Sequence, residues 1–182
     1  MLKVGTVVLE DYNPLWKEMY NEEERKLKDL LKGNIIEIMH VGSTSIEGLS
    51  AKPVIDIMIT VKELNDVESF KHLFTRELGY DFREDCGVMG EYLVRKGSED
   101  ARTHFIHIIE ENSERYENFV YFKKYLESHP EKIIEYQNLK EELCKKYSDD
   151  RKSYTASKNE FIQNIINLYK NEIMHNKTLS KR

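Results

Sequence analysis

The sequence predicts an α/β (α+β) protein in which helices cover a mixed β-sheet, and three observations lead to this class. Two apolar runs, residues 35–41 and 53–61, have the near-continuous hydrophobicity of strands that are buried on both faces. Residues 13–31 and 62–78 carry apolar side chains at helical spacing. From residue 112 onward the pattern is helical, which predicts a helical layer that follows the sheet.

The ends of the first elements carry local signals. Residues 3–9 are rich in β-branched side chains and predict a strand or an extended arm. Asn13 and Pro14 suit the N-cap and first position of a helix, and Gly33 suits its end. Gly79 ends the second helix, and two further strand-like runs then follow, at Glu91–Arg95 and Arg102–Ile109. The predicted order is strand-helix-strand-strand-helix-strand-strand, then three helices.

The helical C-terminal part divides at two points. His129-Pro130 separates two helices, because proline disfavours a helical conformation in the residue before it. Ser157 and Glu160 have the spacing of a capping box for the last helix. The predicted organisation is an α/β core over residues 1–111, a helical part over 112–174 that packs on the core, and a frayed tail over 175–182.

Composition narrows the classes of partner. The formal net charge of −5 disfavours general nucleic-acid binding, because neutralising phosphates requires a basic field. A local pocket can oppose the overall sign of charge, so a small anionic ligand stays open. No apolar run approaches the length of a membrane span, and the N-terminus has no signal-peptide pattern. We therefore expect a cytoplasmic protein without membrane association, in which Cys86 and Cys144 are reduced thiols outside any zinc-binding spacing.

Asp56 is the first candidate for chemistry, because it interrupts the second apolar run. An ionised carboxylate in a buried strand costs several kcal/mol unless it is paired or binds a metal. The alternative is an aspartate at the end of the strand, partly exposed or paired with Lys52. Taken alone, Asp56 leaves both interpretations open.

The second candidate is the loop of small and polar residues between the two apolar runs, Gly42-Ser43-Thr44-Ser45-Ile46-Glu47-Gly48-Leu49-Ser50. Small residues let the backbone approach a ligand closely, and successive N–H groups can hold a phosphate. The loop is not a Walker motif, because no Gly-Lys-Ser/Thr follows. An ordinary polar turn is the alternative.

Together, the loop and the strand with its acid resemble the GrpB family. Residues 40–49 and 51–57 resemble the family's central motif, which is long and specific. Further matching positions extend the resemblance over residues 8–166, and they are Tyr12, Pro14, Trp16, Arg102, Thr103, His104, Ile106, His107, Phe122, Tyr125, Leu126, His129, Pro130, Tyr136, Leu139, Lys140, Tyr154, Lys158 and Phe161.

The resemblance implies a nucleotidyltransferase-like core. In that superfamily a Gly-Ser turn holds a triphosphate, and acids on neighbouring strands hold divalent cations that activate the attacking hydroxyl. By position, Gly42, Ser43 and Thr44 form the phosphate turn. Asp56 is the metal carboxylate and a catalytic residue. The expected cofactor is Mg²⁺ or Mn²⁺, with a nucleoside triphosphate as substrate.

One position departs from the superfamily pattern. A second acid is usual two residues after the first, and Met58 stands there. Hard cations prefer several oxygen ligands, and a thioether is a poor replacement. Asp56 with substrate phosphates could hold a single Mg²⁺, but a two-metal site is not expected.

Histidines and cations complete the candidate site. His107 is a candidate base or ligand, and we expect His104 on the opposite strand face as a packed residue. The alternative for each is a structural histidine. The cations Lys52, Arg95, Arg102 and Lys158 are candidate phosphate partners, although a surface lysine or arginine more often has no such role.

Three functions from different classes stay open on the sequence alone. The first is metal-dependent nucleotidyl transfer from a nucleoside triphosphate to a small acceptor. The second is a non-catalytic module that binds a nucleotide or another phosphate ligand, which Met58 favours. The third is a protein-interaction domain with an acidic helical surface.

Overall fold

The computed structural model describes residues 6–83, 87–98 and 101–179, so Cys86 and the first residues of the predicted N-terminal arm lie outside the described part. The helices are α1 Leu15–Leu30, α2 Lys71–Glu77, α3 Glu114–Ser128, α4 Pro130–Lys146, α5 Arg151–Ser157 and α6 Asn159–Leu179. The strands are β1 Glu37–Val41, β2 Ile55–Val61, β3 Asp81–Arg83, β4 Glu91–Ser98 and β5 Ala101–Glu110.

The strands form one mixed sheet in the order β1-β2-β5-β4-β3. Only the central pair, β2 and β5, is parallel, and the other three neighbouring pairs are antiparallel. Helices cover both faces, so β2 is buried on both sides, as its continuous apolar run predicts. The predicted α/β class, a mixed sheet covered by helices and followed by a helical part, is confirmed.

The two faces of the sheet pack against different helices, because strand side chains alternate between them. Ile55, Ile57 and Ile59 point to the face that α1 covers with residues such as Trp16 and Leu27. We call this the α1 face. The other side, which we call the cleft face, carries Met58, Val41 and Ile109, which pack against Val120 of α3.

The C-terminal helices join the core at the loop between β1 and β2. Ile46 and Leu49 of this loop are fully buried in a cluster with Leu126 of α3, Tyr136 of α4 and Ile165 of α6. The loop is therefore held from both sides, by the sheet beneath it and by the helices above it.

Several boundaries differ from the sequence predictions. Residues 62–78 form a 3-10 turn at Leu64–Ser69 followed by α2, and the short strand β3 after them was not predicted. Ser157 is the last residue of α5 instead of a cap of the final helix. Helix α6 continues through residues 175–179, which the sequence assigns to a frayed tail.

Within the described part of the chain, none of the helices has the combination of length and apolar character that crossing a bilayer requires.

Candidate functional site

The Gly42-Ser43 turn begins where β1 ends, and Gly42 brings it against Asp56. Val41, the last residue of β1, pairs with Asp56 in the antiparallel ladder. Gly42 has φ 69° and ψ −173°, a conformation that only glycine adopts readily. A Cβ atom at this position would overlap the Asp56 carboxylate. The glycine therefore allows the turn and the carboxylate to share one cleft.

The turn itself is a short 3-10 segment over Ser43–Ser45, closed by bonds to the carbonyl of Gly42. The backbone N–H and the hydroxyl of Ser45 both donate to the Gly42 carbonyl oxygen, at 3.2 and 2.8 Å. The Thr44 hydroxyl donates to the carbonyl of Val54 at 3.3 Å, so it ties the turn to the start of β2.

His40 supports the turn from the α1 face. Its Nε2 lies 3.0 Å from the Thr44 hydroxyl oxygen. Because that hydroxyl gives its proton to Val54, His40 must be the donor, which requires the neutral Nε2–H form. Burial, and then the nearby Lys123 ammonium, lower the pKa of His40 to about 4. His40 also stacks on Tyr20, with ring centroids 4.7 Å apart.

Asp56 lies on the cleft face, and its side chain is 30% exposed. Asp56 is therefore partly exposed, although its apolar strand suggested burial, because the second residue of β2 faces an open cleft. Its nearest charged neighbour is His107, whose Nε2 lies 3.7 Å from Asp56 Oδ1. The predicted alternative partner, Lys52, lines the same cleft.

His107 is held from behind by a glutamate that the sequence analysis did not single out. Nδ1 of His107 lies 3.4 Å from Oε1 of Glu91, which is buried at the start of β4. Arg115 of α3 donates to the other oxygen of Glu91 from Nε at 2.9 Å and from a terminal nitrogen at 2.5 Å. The result is a chain of alternating charge, Arg115–Glu91–His107–Asp56.

The two carboxylates decide the protonation of His107. Burial by itself would lower the pKa of His107, but its contacts with Asp56 and Glu91 outweigh burial and raise the pKa to about 9. At neutral pH the ring is therefore an imidazolium that neutralises Asp56.

Cations line the cleft on the side of the C-terminal helices. A cavity of about 180 Å³ is bordered by Lys52, Lys140, Arg151 and Lys158 together with Ser43, Thr44 and Asp56. We call these four cations the cationic cluster. Lys52 and Lys158 both point at the ring of Tyr154, with ammonium-to-centroid distances of 5.7 and 4.7 Å.

Burial, and then neighbouring cations, disfavour the charged form of the lysines in the cationic cluster. Burial, and then Arg151 and Lys158, lower the pKa of Lys52 to about 8. Burial, and then Lys158, lower the pKa of Lys140 to about 7, and its ammonium donates to the Ser50 carbonyl. Burial lowers the pKa of Lys158 as well, although Asp56 opposes that effect. Among the described residues that border this cavity, four cationic side chains face the single carboxylate of Asp56.

The structure brings together all but two of the predicted site residues. Gly42, Ser43, Thr44, Lys52, Asp56, His107 and Lys158 meet at the cleft. Arg95 and Arg102 do not join them: the Arg95 guanidinium pairs with Asp81 of β3, and that of Arg102 bonds the Gly97 carbonyl at 2.7 Å and approaches the same aspartate. His104 lies on the α1 face, opposite His107, as the strand alternation predicts.

The residues of the cleft do not form a protein-held metal site. No group of three or more His, Cys, Asp and Glu side chains in residues 6–83, 87–98 and 101–179 is placed to hold an ion. Met58, at the position of the missing second acid, is fully buried in the apolar cluster with Val41 and Ile109. Asp56 instead faces an imidazolium and lysines, which compete with a divalent cation for the same carboxylate.

Sequence reasoning missed Lys140 and Arg151 as cleft residues. Lys140 follows Tyr136 by one helical turn and is only 1% exposed, so it lies on the buried stripe of α4. A lysine within an apolar stripe is a detectable signal. Arg151, Arg115 and Glu91 carry no comparable local pattern, since their roles depend on contacts between distant elements.

The fold and the cleft define a class: an α/β protein that presents a Gly-Ser turn, one acid and a cluster of cations between its sheet and its helical part. The family model described as "GrpB protein" matches residues 6–168. The chain belongs to the GrpB family.

Individual relatives agree with this assignment. The glutamate-rich protein GrpB of Alkalihalophilus pseudofirmus is 32% identical over 166 residues, covering 90% of this chain and 95% of that protein. The UPF0157 protein YqkA of Bacillus subtilis is 35% identical over 152 residues, and the match spans 84% of this chain but 44% of YqkA. The crystal structure of conserved protein GrpB from Enterococcus faecalis aligns with a TM-score of 0.84 at 32% identity, covering 92% of this chain and 99% of that one.

Proposed function

We propose that this chain binds a phosphate-bearing small molecule, a nucleotide, in the cleft between the sheet and the C-terminal helices. The observation that carries the proposal is the cationic cluster, which lies beside Ser43 and Thr44 of the turn and has Asp56 as the one carboxylate among the described residues of the cavity lining. A positive cavity in a chain of net charge −5 is a local feature that opposes the overall sign of charge.

Electrostatics give the cleft a preference for anions. Lys52 and Lys140 have pKa values lowered to about 8 and 7, since each ammonium is buried near other cations. A phosphate beside them would supply the missing negative charge and raise both pKa values. Binding should therefore take up protons near neutral pH, and affinity should fall as the pH rises through this range.

The turn supplies a complementary set of neutral contacts. Ser43 and Thr44 are small and polar, and both border the cationic cavity. The links from Thr44 to Val54 and His40 fix the turn, so little ordering is required when a ligand arrives.

Nucleotidyl transfer is the second candidate, and the position of Asp56 favours it. Asp56 touches the turn and contacts His107, so an acid and a potential proton carrier meet where a phosphate would lie. The described residues do not fit a dedicated Mg²⁺ site, so the proposed binding does not require a metal. Metal dependence is tested by comparing EDTA with Mg²⁺.

Calorimetry with the parent protein and Asp56→Asn separates the two candidates. Inorganic triphosphate and the four ribonucleoside triphosphates would be titrated in EDTA and in Mg²⁺. The binding proposal predicts affinity in EDTA that Asp56→Asn keeps or improves, because the variant removes a negative charge beside the phosphate. Failure of every anion to bind would contradict it. Nucleotidyl transfer requires Mg²⁺-dependent product formation that Asp56→Asn abolishes.

A further inference from the structure

A second cavity opens from the same cleft on the side away from the cationic cluster. It has a volume of about 250 Å³ and shares Ser43, Asp56 and Lys158 with the cationic cavity. The two cavities are therefore neighbouring compartments that meet at the Gly-Ser turn and the acid. Neither alone reaches the roughly 300 Å³ at which small-molecule sites usually begin.

The second compartment differs in chemistry from the first. Its walls carry three carboxamides, of which Asn118 is half-buried and Asn159 and Gln163 lie at the exposed rim. Apolar and aromatic side chains, among them Phe119 and Ile162, form the rest of its lining. We call it the amide compartment.

Charge in the amide compartment is already balanced. Its arginine, Arg115, donates twice to Glu91 and lies over the ring of Phe119 at 5.0 Å. Lys158 stands at the boundary with the cationic cavity. An uncharged group therefore suits this compartment better than a second phosphate.

We infer that the amide compartment receives the nucleobase of the ligand, while the cationic cluster receives its phosphates. A carboxamide both donates and accepts hydrogen bonds, so it matches the edge of a heteroaromatic base. Apolar side chains of the kind that line this compartment suit the face of such a ring. The ligand class is then a nucleoside polyphosphate, whose sugar would span the shared boundary at Ser43 and Asp56.

This inference rests on the proposed function, since it assumes that phosphate binds the cationic cluster. It adds the claim that Asn118 and Gln163 decide the affinity for the base. Inorganic triphosphate, which has no base, should bind more weakly than at least one nucleoside triphosphate.

The test is calorimetry on the double variant Asn118→Leu/Gln163→Met, which removes two carboxamides and nearly preserves their volumes. The matched control is Asn164→Leu, an exposed amide on the same helix as Gln163 that does not border the compartment. Titrations use inorganic triphosphate and the four ribonucleoside triphosphates, each in EDTA and in Mg²⁺.

We expect the double variant to weaken the preferred nucleoside triphosphate about tenfold or more, because two hydrogen-bonding groups that would face the base are lost. Its affinity for inorganic triphosphate should stay within about twofold, and the control should match the parent for every ligand. Inorganic triphosphate that binds the parent as tightly as every nucleotide, or a double variant that binds nucleotide like the parent, would overturn the inference while the proposed phosphate site stands. Absence of binding by every anion would overturn both.

Discussion

The two faces of the sheet contain nearly the same set of charged groups in two different settings. On the cleft face, His107 lies between Asp56 and Glu91, close to cations. On the α1 face, His104 lies among Glu23 and Lys96, and the Lys96 ammonium contacts Glu23 at 2.5 Å. The cationic cavity opens on the cleft face, beside Asp56.

The packing around each histidine sets its charge. Burial lowers the pKa of His104, whereas two carboxylates raise the pKa of His107 to about 9. On the α1 face, His104 Nε2 and Glu23 Oε1 are buried without a hydrogen-bond partner among the described residues. The same residue types therefore border a cavity on one face and pack beneath a helix on the other, so residue type alone does not identify a ligand site.

The largest expected effect is on stability at the turn. Gly42→Ala introduces a Cβ atom that overlaps Asp56 at a backbone conformation reserved for glycine, so it should lower the free energy of unfolding by about 4 kcal/mol. Gly48→Ala is the control, because Gly48 has φ 79° but nothing within 4 Å of an added Cβ, and it should cost about 1 kcal/mol. Urea unfolding of both variants gives the answer. Equal losses would show that Asp56 does not crowd Gly42.

The pH dependence of stability should separate the two histidines. The folded pKa of His107 lies above its unfolded value of 6.5, so its contribution is complete below pH 6.5 and disappears as the pH rises through about 9. The stability difference between the parent and His107→Gln should therefore shrink over this range, by at most about 3 kcal/mol. Using the difference removes the titration of Lys52 and Lys140, which have the opposite sign.

His104 should act in the other direction. Its folded pKa lies below the unfolded value, so stability is lost as the pH falls through 6.5 and the unfolded chain takes up a proton. His104→Gln should remove part of that acid sensitivity and leave the range above pH 7 unchanged. The same unfolding series reports both histidines, and identical pH profiles for the two variants would refute the contrast between the faces.

A smaller effect is expected on the α1 face, where a substitution should change stability but not anion affinity. Glu23→Gln leaves the Lys96 ammonium without its carboxylate and should cost about 1–2 kcal/mol, since Lys96 stays partly exposed to water. Glu22→Gln breaks an exposed pair with Lys26 on the same helix and should have little effect. Neither variant should change anion affinity in calorimetry. A loss of affinity in Glu23→Gln would mean that the α1 face takes part in binding.

The sequence predicted the strands and helices that carry strong periodicity, including β2 with its acid and α1 between its terminal signals. It did not predict β3, because three residues give no recognisable alternation. The short helix α5 was also missed, although the start of the last helix was predicted within two residues of where α6 begins.

The candidate site was predicted where the chain is locally unusual. A Gly-Ser loop beside an acid in an apolar strand is visible in the sequence, and so the turn and Asp56 were identified. Glu91 and Arg115 were not, because they meet His107 only after β4 and α3 fold against β5. Arg102 resembled a cleft cation but is engaged by the Gly97 carbonyl and Asp81 near the start of β5, beyond a register shift in its pairing with β4.

Phosphate binding by the cationic cluster is tested most sharply by Lys158→Gln, which removes one of its four cations. Lys152→Gln is the matched control, because Lys152 is an exposed lysine on the neighbouring helix and the charge change is the same. Unfolding free energies of both variants should stay within about 0.5 kcal/mol of the parent or rise for Lys158→Gln, since burial disfavours its charge.

The measurement is the affinity of each protein for inorganic triphosphate by calorimetry at pH 7. If the cationic cluster binds phosphate, Lys158→Gln should weaken binding at least about tenfold, because a close charge partner is lost. Lys152→Gln should stay within about twofold of the parent. Equal affinities for all three proteins would contradict the assignment of the cleft as a phosphate site.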